Sequence, residues 1–227
     1  MNHKPFIRRF GLIFILPVML FLSACGSDEA TEESRHASIE DVNTVHIDHG
    51  STPLQLEVAD IDSLEASLVL PRGGDGLVMD ESPNSVDIRL KSNISQLLNL
   101  GKKPRLRILI PSHFEGKVVV QGSSGSVTGT GLRSHSLDIQ GKSGNIKLQF
   151  AELNNDLNVS VHSGNVHVQL EDSKPNASWR LQSTSGRRSI AFPLDKQSEQ
   201  KQRTEGITGS GSVEVNIETR SGNITVE

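Results

Sequence analysis

Histidine and serine are the residues of this sequence that could bind a metal or act as a nucleophilic pair. His162 and His167 lie five residues apart around an expected turn, whereas His46 and His49 lie three apart and so fall on opposite faces of a strand. No HExxH motif accompanies them, and the neighbouring Ser and His residues occur without a G-x-S-x-G elbow. We therefore expect surface histidines, with no catalytic residue, no metal ligand and no cofactor.

The single cysteine, Cys25, is the candidate for covalent modification. Residues 1–24 combine a basic start, an apolar run and small residues before Cys25, which is typical of a secretory signal peptide. Leu22–Cys25 resembles the lipobox of bacterial lipoproteins, and the resemblance implies cleavage before Cys25, attachment of diacylglycerol to its sulfur and modification with palmitate. An ordinary signal peptide with a chance cysteine is the alternative.

The segment after the cysteine, residues 25–43, is acidic and has few apolar side chains. Such a segment cannot bury enough surface to fold, so we expect a disordered linker followed by one folded domain over residues 44–227. The formal net charge of −4 makes nucleic acid a poor partner, because counterion release requires a basic surface. The expected partners are the membrane, through the lipid, and an unidentified envelope protein or cell-wall component.

A repeat of the form Ser-Gly-x-(Ile/Val) dominates the C-terminal half. Copies begin at Ser124, Ser143, Ser163, Ser210 and Ser221, with a looser copy at Ser185. Apolar residues alternate with polar ones on both sides of each copy, which indicates two short strands in each unit of about 20 residues. The pattern predicts an all-β, single-domain β-solenoid with regular repeats over 117–227 and a less regular, β-rich N-terminal cap.

The glycine and asparagine residues of the Ser-Gly corners are expected to have a structural role. Glycine permits the left-handed backbone of a tight corner, and asparagines in register can stack as an amide ladder. A polar ligand cleft at the corners is the alternative. The turn residues are Gly125, Gly144, Asn145, Gly164, Asn165, Gly186, Gly222 and Asn223.

Two further expectations follow from the repeat register. Residues 194–209 interrupt the period and are polar, so they should project as a surface loop. One outward ladder should be mixed in charge, without the acid cluster that a polysaccharide-cleaving enzyme requires. That ladder is Asp138, Asn158, Arg180 and Glu214.

The run from Arg105 through Ser124-Gly125-Ser126-Val127, together with the repeated SGN(I/V) units, resembles a family of bacterial putative adhesin domains found in envelope proteins. The resemblance covers about residues 45–227 and implies a β-solenoid without an established catalytic motif. Relatives of this kind are also associated with envelope-stress systems of Gram-positive bacteria.

Three functions remain open from the sequence. The first is a lipid-anchored, extracytoplasmic, non-enzymatic binding or scaffold module, on the outer face of the cell membrane of a Gram-positive bacterium. The second is an accessory or sensor protein in envelope-stress signalling, and the third is a polysaccharide-active β-helix enzyme.

Overall fold

The computed structural model describes residues 31–70, 76–91, 104–133, 136–172 and 175–227, and these residues form strands and connecting turns without a helix. Cys25 and the proposed signal peptide lie outside the described residues. No helix in the described ranges is long and apolar enough to cross a bilayer. The prediction of an all-β, single-domain β-solenoid is confirmed.

Nineteen strands make up the described part of the chain. They are β1 (Thr31–Ala37), β2 (Thr44–Gly50), β3 (Leu54–Ala59), β4 (Leu64–Leu70), β5 (Leu77–Ser82), β6 (Ser85–Leu90), β7 (Arg105–Pro111), β8 (Lys117–Gly122), β9 (Val127–Leu132), β10 (Ser136–Ser143), β11 (Ile146–Phe150), β12 (Leu157–Ser163), β13 (Val166–Leu170), β14 (Ala177–Ser185), β15 (Arg188–Ile190), β16 (Asp195–Glu199), β17 (Arg203–Ile207), β18 (Val213–Ser221) and β19 (Ile224–Val226).

The strands form two sheets that face each other across one core. Sheet A has the order β1-β4-β7-β3-β9-β11-β13-β19-β15, and sheet B has the order β16-β17-β14-β18-β12-β10-β8-β2-β6-β5. Each coil of the solenoid contributes one strand to sheet B and then one to sheet A. The coils are β2–β3, β6–β7, β8–β9, β10–β11, β12–β13, β14–β15 and β18–β19.

Neighbouring coils stack in parallel and in register. Leu137 pairs with Leu157 in sheet B, and Ile146 pairs with Val166 in sheet A. These inward side chains are fully buried, whereas the residues between them face solvent. Strict alternation therefore directs one aliphatic row of each strand into the core, and each Val, Leu or Ile so buried contributes about 1.5–3 kcal/mol.

The spatial order of the last coils differs from their order in the chain. Leu137, Leu157 and Trp179 stand in one inward column, in which Val215 lies between Leu157 and Trp179. The final coil, β18–β19, thus lies between β12–β13 and β14–β15. The expected ladder is corrected accordingly, because Asn216, and not Glu214, lies in register with Arg180.

The prediction of a surface loop at 194–209 is wrong, because much of this segment forms the hairpin β16–β17. Strand β17 pairs antiparallel with β14 and so occupies the edge that β14 would otherwise expose. Thr204, Gly206 and Thr208 point inward and are buried. Leu194 packs against Gly206, and Trp179 Nε1 donates a hydrogen bond to Thr208 Oγ1 at 2.8 Å. The inward positions are therefore small or hydroxylated, and the segment shows no apolar alternation.

The expected disordered linker is also wrong for its second half. Thr31–Ala37 forms β1, which pairs antiparallel with β4 along its full length. Oε2 of the Glu33 carboxylate accepts hydrogen bonds from the backbone N–H of Gly76 at 2.8 Å and from that of Leu77 at 2.9 Å. Backbone pairing and this carboxylate therefore fix β1 to the domain, and Ala37 at its end adds a small buried side chain.

Antiparallel strands close the N-terminal end of the solenoid. Strands β4 and β1 extend sheet A beyond β7, and β5 extends sheet B beyond β6. Two complete coils, β2–β3 and β6–β7, lie behind this cap. A capped end of this kind prevents edge-to-edge pairing of the long sheets with other chains.

Candidate functional site

The Ser-Gly corners stack into one glycine column, except for Ser210-Gly211, which lies beside Ile207. The φ angles of Gly125, Gly144, Gly164 and Gly222 are 100°, 129°, 155° and 154°, a region that side chains rarely adopt. A Cβ atom on Gly144, Gly164 or Gly222 would overlap the carbonyl oxygen of the glycine in the neighbouring coil. These positions require glycine because backbones approach each other there, and not only because of the turn.

Asparagines beside the glycines bridge successive coils. The Oδ1 atom of Asn145 accepts hydrogen bonds from the backbone N (3.0 Å) and the Nδ2 (3.3 Å) of Asn165. Asn165 Oδ1 accepts from the backbone N of Asn223 at 2.9 Å, and Asn223 Oδ1 accepts from the backbone N of Arg187 at 2.9 Å. The amides are therefore engaged by one another and by the backbone, as a structural ladder requires.

The corner at Gly186 departs from the others. Gly186 does not adopt the positive φ of the other corners, although a Cβ atom there would overlap the carbonyl oxygen of Gly222. Arg187 occupies the position of the asparagine in the neighbouring coils, so the amide ladder ends at this coil. The departure coincides with the outermost coil at the C-terminal end of the solenoid.

The outer face of sheet B carries two rows of polar side chains, which we call the polar platform. They lie on the four neighbouring strands β10, β12, β18 and β14, in register across the strands. All eight are exposed or half-buried. The first row is Asp138, Asn158, Asn216 and Arg180, and the second is Gln140, Ser160, Glu218 and Gln182.

Hydrogen bonds between neighbours hold the platform side chains in place. Asn216 Nδ2 donates to Asn158 Oδ1 at 3.1 Å, and Gln140 Nε2 donates to Asp138 Oδ1 at 3.3 Å. At the outer end, Arg180 Nε donates to Glu205 of β17 at 3.1 Å. The rows line a shallow groove of about 420 Å³, in which hydrogen-bonding side chains repeat at the spacing of the strands.

The histidines do not converge on a site. His46 faces solvent and His49 is buried, so the two lie on opposite faces as their spacing predicted, but the expectation of surface histidines is wrong for His49. His162 is exposed, and His167 Nε2 lies 2.9 Å from Glu227 Oε1. Among the described residues, no group of three or more His, Cys, Asp or Glu side chains is arranged to hold a metal ion.

His49 has a structural environment that the sequence did not reveal. Its Nδ1 lies 2.7 Å from the carbonyl oxygen of Thr52, and its ring occupies the space that a side chain at position 122 would fill. Burial lowers the pKa of His49 from its ordinary 6.5, against smaller raising effects of the Thr52 carbonyl and Asp48. The neutral ring with a proton on Nδ1 fits this corner, and Gly122 is the sequence signal that points to it.

Arg188 is a second residue that sequence analysis missed. It lies in register with Ile224, at the end of an inward aliphatic column, and its side chain is only 8% exposed. Its Nε donates to Thr204 Oγ1 at 3.0 Å, and its Nη2 donates to Glu199 Oε1 at 2.9 Å and to the Gln200 carbonyl at 3.1 Å. The guanidinium thus links β15 of sheet A to the hairpin of sheet B. Hydrogen bonds from Thr204 and Arg188 hold the pKa of Glu199 below its usual value.

Comparison with known proteins agrees with this architecture. The model of a family described as Toastrack DUF4097 matches residues 109–227, which confirms the resemblance to bacterial putative adhesin domains. The crystal structure of a putative cell adhesion protein from Clostridium sporogenes superposes with a TM-score of 0.64 at 13% identity, covering 87% of this chain and 99% of that one. At this identity the likeness concerns the fold alone.

Two further solved structures show weaker similarity. A putative adhesin from Bacteroides fragilis has a TM-score of 0.34 at 10% identity, over 88% of this chain and 99% of that chain. A putative adhesin from Parabacteroides merdae has a TM-score of 0.32 at 10% identity, over 86% and 96%. No curated protein matches the sequence.

Proposed function

We propose a binding function for this chain, which belongs to the Toastrack DUF4097 family. In this proposal the protein is a lipid-anchored, extracytoplasmic, non-enzymatic binding or scaffold module of the bacterial cell envelope. It holds an envelope protein or a cell-wall component against the polar platform. The structurally similar protein from Clostridium sporogenes is described as a putative cell adhesion protein, which supports such a role.

The observation that carries the proposal is the register of the polar platform. Eight polar side chains from four neighbouring strands stand in two straight rows, fixed by the parallel pairing beneath them. A rigid sheet loses little conformational entropy when it binds, and groups placed on strands keep their geometry better than groups on loops. The platform therefore suits an extended polar partner that lies across the strands.

The N-terminal lipid would set the orientation of this face. Cys25 precedes β1 by six residues, and six residues of fully extended chain reach at most about 20 Å. Because β1 belongs to the cap of the solenoid, an acylated Cys25 would keep the capped end nearest the bilayer. Because the platform strands lie towards the other end of sheet B, the platform would then stand away from the outer face of a Gram-positive cell membrane.

Co-sedimentation of the purified full chain with bacterial cell-wall and envelope fragments tests the proposed function. Arg180→Glu reverses a charge on the platform, and Lys147→Glu makes the same change on the outer face of sheet A. We expect Arg180→Glu to reduce capture at least tenfold, whereas Lys147→Glu leaves it unchanged. Equal capture of both variants, or release of soluble glycan fragments by the unmodified protein, would overturn the proposal. The intrinsic fluorescence of Trp179, which is 1% exposed, verifies that each variant is folded.

A further inference from the structure

The C-terminal end of the solenoid is a step, because the two sheets end at different levels. In the described part of the chain, sheet A ends at β15, whereas sheet B continues beyond the same coil with β17 and β16. The step is therefore two strands deep. An open groove of about 930 Å³ occupies it, lined by Gly186–Ser189, by Glu199 and Lys201 of the hairpin, and by Asn223–Thr225.

The backbone of β15 presents hydrogen-bonding groups to this step. Ile224 N donates to the Arg187 carbonyl and Ala191 N donates to the Val226 carbonyl, each at 2.9 Å. Since alternate residues of a parallel strand bond to opposite neighbours, the N–H and C=O groups of Arg188 and Ile190 point away from β19. They face the side on which sheet A has no further described strand.

The far wall of the step is fixed in position. Arg188 holds the turn of the β16–β17 hairpin through Glu199 and the carbonyl oxygen of Gln200. The hairpin therefore remains beside the edge of β15. A strand that entered the groove would have β15 on one side and the turn end of the hairpin, at Glu199 and Lys201, on the other.

The charges of the step favour an acidic occupant. Arg187 and Lys201 are exposed on its two sides, and the charge of Glu199 is matched by Arg188. This basic groove occurs on a chain whose formal net charge is −4. Complementary charge of this kind steers an oppositely charged segment to its site and fixes its register.

We propose that this step binds an extended acidic segment of a partner protein by strand addition to β15. The backbone of the segment bonds to Arg188 and Ile190, while its carboxylates pair with Arg187 and Lys201. The mode is β-augmentation, in which main-chain bonds supply affinity and flanking side chains supply specificity. The step lies at the end of the solenoid and is separate from the polar platform, so either proposal can fail alone.

Fluorescence anisotropy with two labelled probe peptides tests the charge preference. One probe is a heptapeptide of alternating Glu and Val, and the other has Lys in place of Glu. We expect the full-length protein to bind the acidic peptide at least tenfold more tightly than the basic one. The double variant Arg187→Glu with Lys201→Glu should reverse the preference, whereas the matched Lys142→Glu with Lys147→Glu should retain it. Equal binding of both peptides would overturn the proposal. Binding of neither would overturn it too, and would indicate that the cations beside this short edge strand prevent pairing.

A second pair of probes tests whether strand addition itself occurs. Two versions of the acidic peptide are N-methylated at alternate residues, one at the odd and one at the even positions. Each keeps every carboxylate but loses the backbone N–H donors along one edge of the strand. We expect at least one phase to lose binding tenfold or more. Undiminished binding of both phases would reduce the interaction to charge alone and overturn strand addition. Self-association of the full chain that Arg187→Glu abolishes would assign the step to a second copy, and would also overturn the proposal.

Discussion

Asn165 and Asn223 are joined by a hydrogen bond of 2.9 Å between a side-chain oxygen and a backbone N–H, although 58 residues separate them in the chain. The bond shows that the final coil rests directly on β12–β13. The coil β14–β15, which comes earlier in the chain, is displaced outward and pairs with β18 instead. The last coil therefore connects the regular stack to the Trp179 coil and its hairpin.

The glycine column predicts a large difference between two alanine substitutions. Gly164→Ala places a Cβ atom against the Gly144 carbonyl oxygen at a φ of 155°, whereas Gly50 has a φ of 55° and open space around it. Strained φ alone costs about 1–3 kcal/mol, and the overlap adds to that cost. We expect Gly164→Ala to lose more than about 3 kcal/mol of unfolding free energy or to fail to fold, and Gly50→Ala to lose about 1 kcal/mol. Urea denaturation followed by Trp179 fluorescence measures both, and equal losses would refute the close stacking of the corners.

Alanine substitutions of Arg188 and of its neighbour Arg187 test whether Arg188 holds the hairpin in place. Arg188→Ala removes hydrogen bonds to Thr204, Glu199 and Gln200 and leaves Thr204 buried, so we expect a loss of about 2 kcal/mol. Limited proteolysis should also cleave the β16–β17 turn, at Lys201, faster than in the unmodified protein. Arg187→Ala should change neither quantity appreciably, because its side chain is exposed and its backbone bond to Asn223 remains. Identical proteolysis of the two variants would contradict the role of Arg188 as the link between the sheets.

The lowered pKa of His49 predicts an acid-dependent loss of stability. In the unfolded chain His49 titrates near 6.5, and in the folded protein it titrates at a lower pH. Below pH 6.5 the unfolded state therefore binds more protons, so the stabilisation present at higher pH is lost progressively as the pH falls from 6.5 towards the folded pKa.

The variant His49→Asn isolates this effect, since an amide N–H can still donate to the Thr52 carbonyl. We expect the urea midpoint of the unmodified protein to fall between pH 7.5 and 5 by more than that of His49→Asn. Parallel pH profiles would show that His49 does not carry the dependence.

The proposed lipid anchor predicts a clear change in fractionation. Cys25→Ser should abolish incorporation of radiolabelled palmitate and should move the protein from the membrane fraction to the soluble extracytoplasmic fraction. The variant Ser23→Thr provides the comparison, as it alters the same segment and keeps the sulfur. Retention of Cys25→Ser in the membrane, or processing without labelling of the unmodified protein, would contradict lipidation.

The sequence predicted the coils well because each coil is encoded locally. Ser143-Gly144-Asn145 specifies a corner, and the alternation of Ile146, Leu148 and Phe150 specifies the strand that follows. The order of coils was not predictable in this way. A corner carries the same residues whichever coil lies above it, and only the tertiary pairing places Val215 between Leu157 and Trp179.

The strands that sequence analysis missed lack an apolar face. Strand β1 is held by backbone bonds to β4 and by the carboxylate of Glu33, and β17 turns Thr204 and Gly206 inward. Hydrophobic periodicity cannot detect such strands, because their stability comes from satisfying the backbone of a neighbouring edge. The first platform row followed from the repeat register, except at the displaced coil, where Asn216 takes the place expected for Glu214.

The central claim, that the polar platform is the face that contacts a partner, is tested most directly by site-specific photo-crosslinking in intact bacteria. A photoreactive amino acid is placed at Gln140, on the outer face of sheet B, or at Gln149, on the outer face of sheet A. We predict covalent adducts with an envelope protein or cell-wall polymer from position 140 and only background from position 149. Adducts of equal yield from both positions, or from position 149 alone, would contradict the claim.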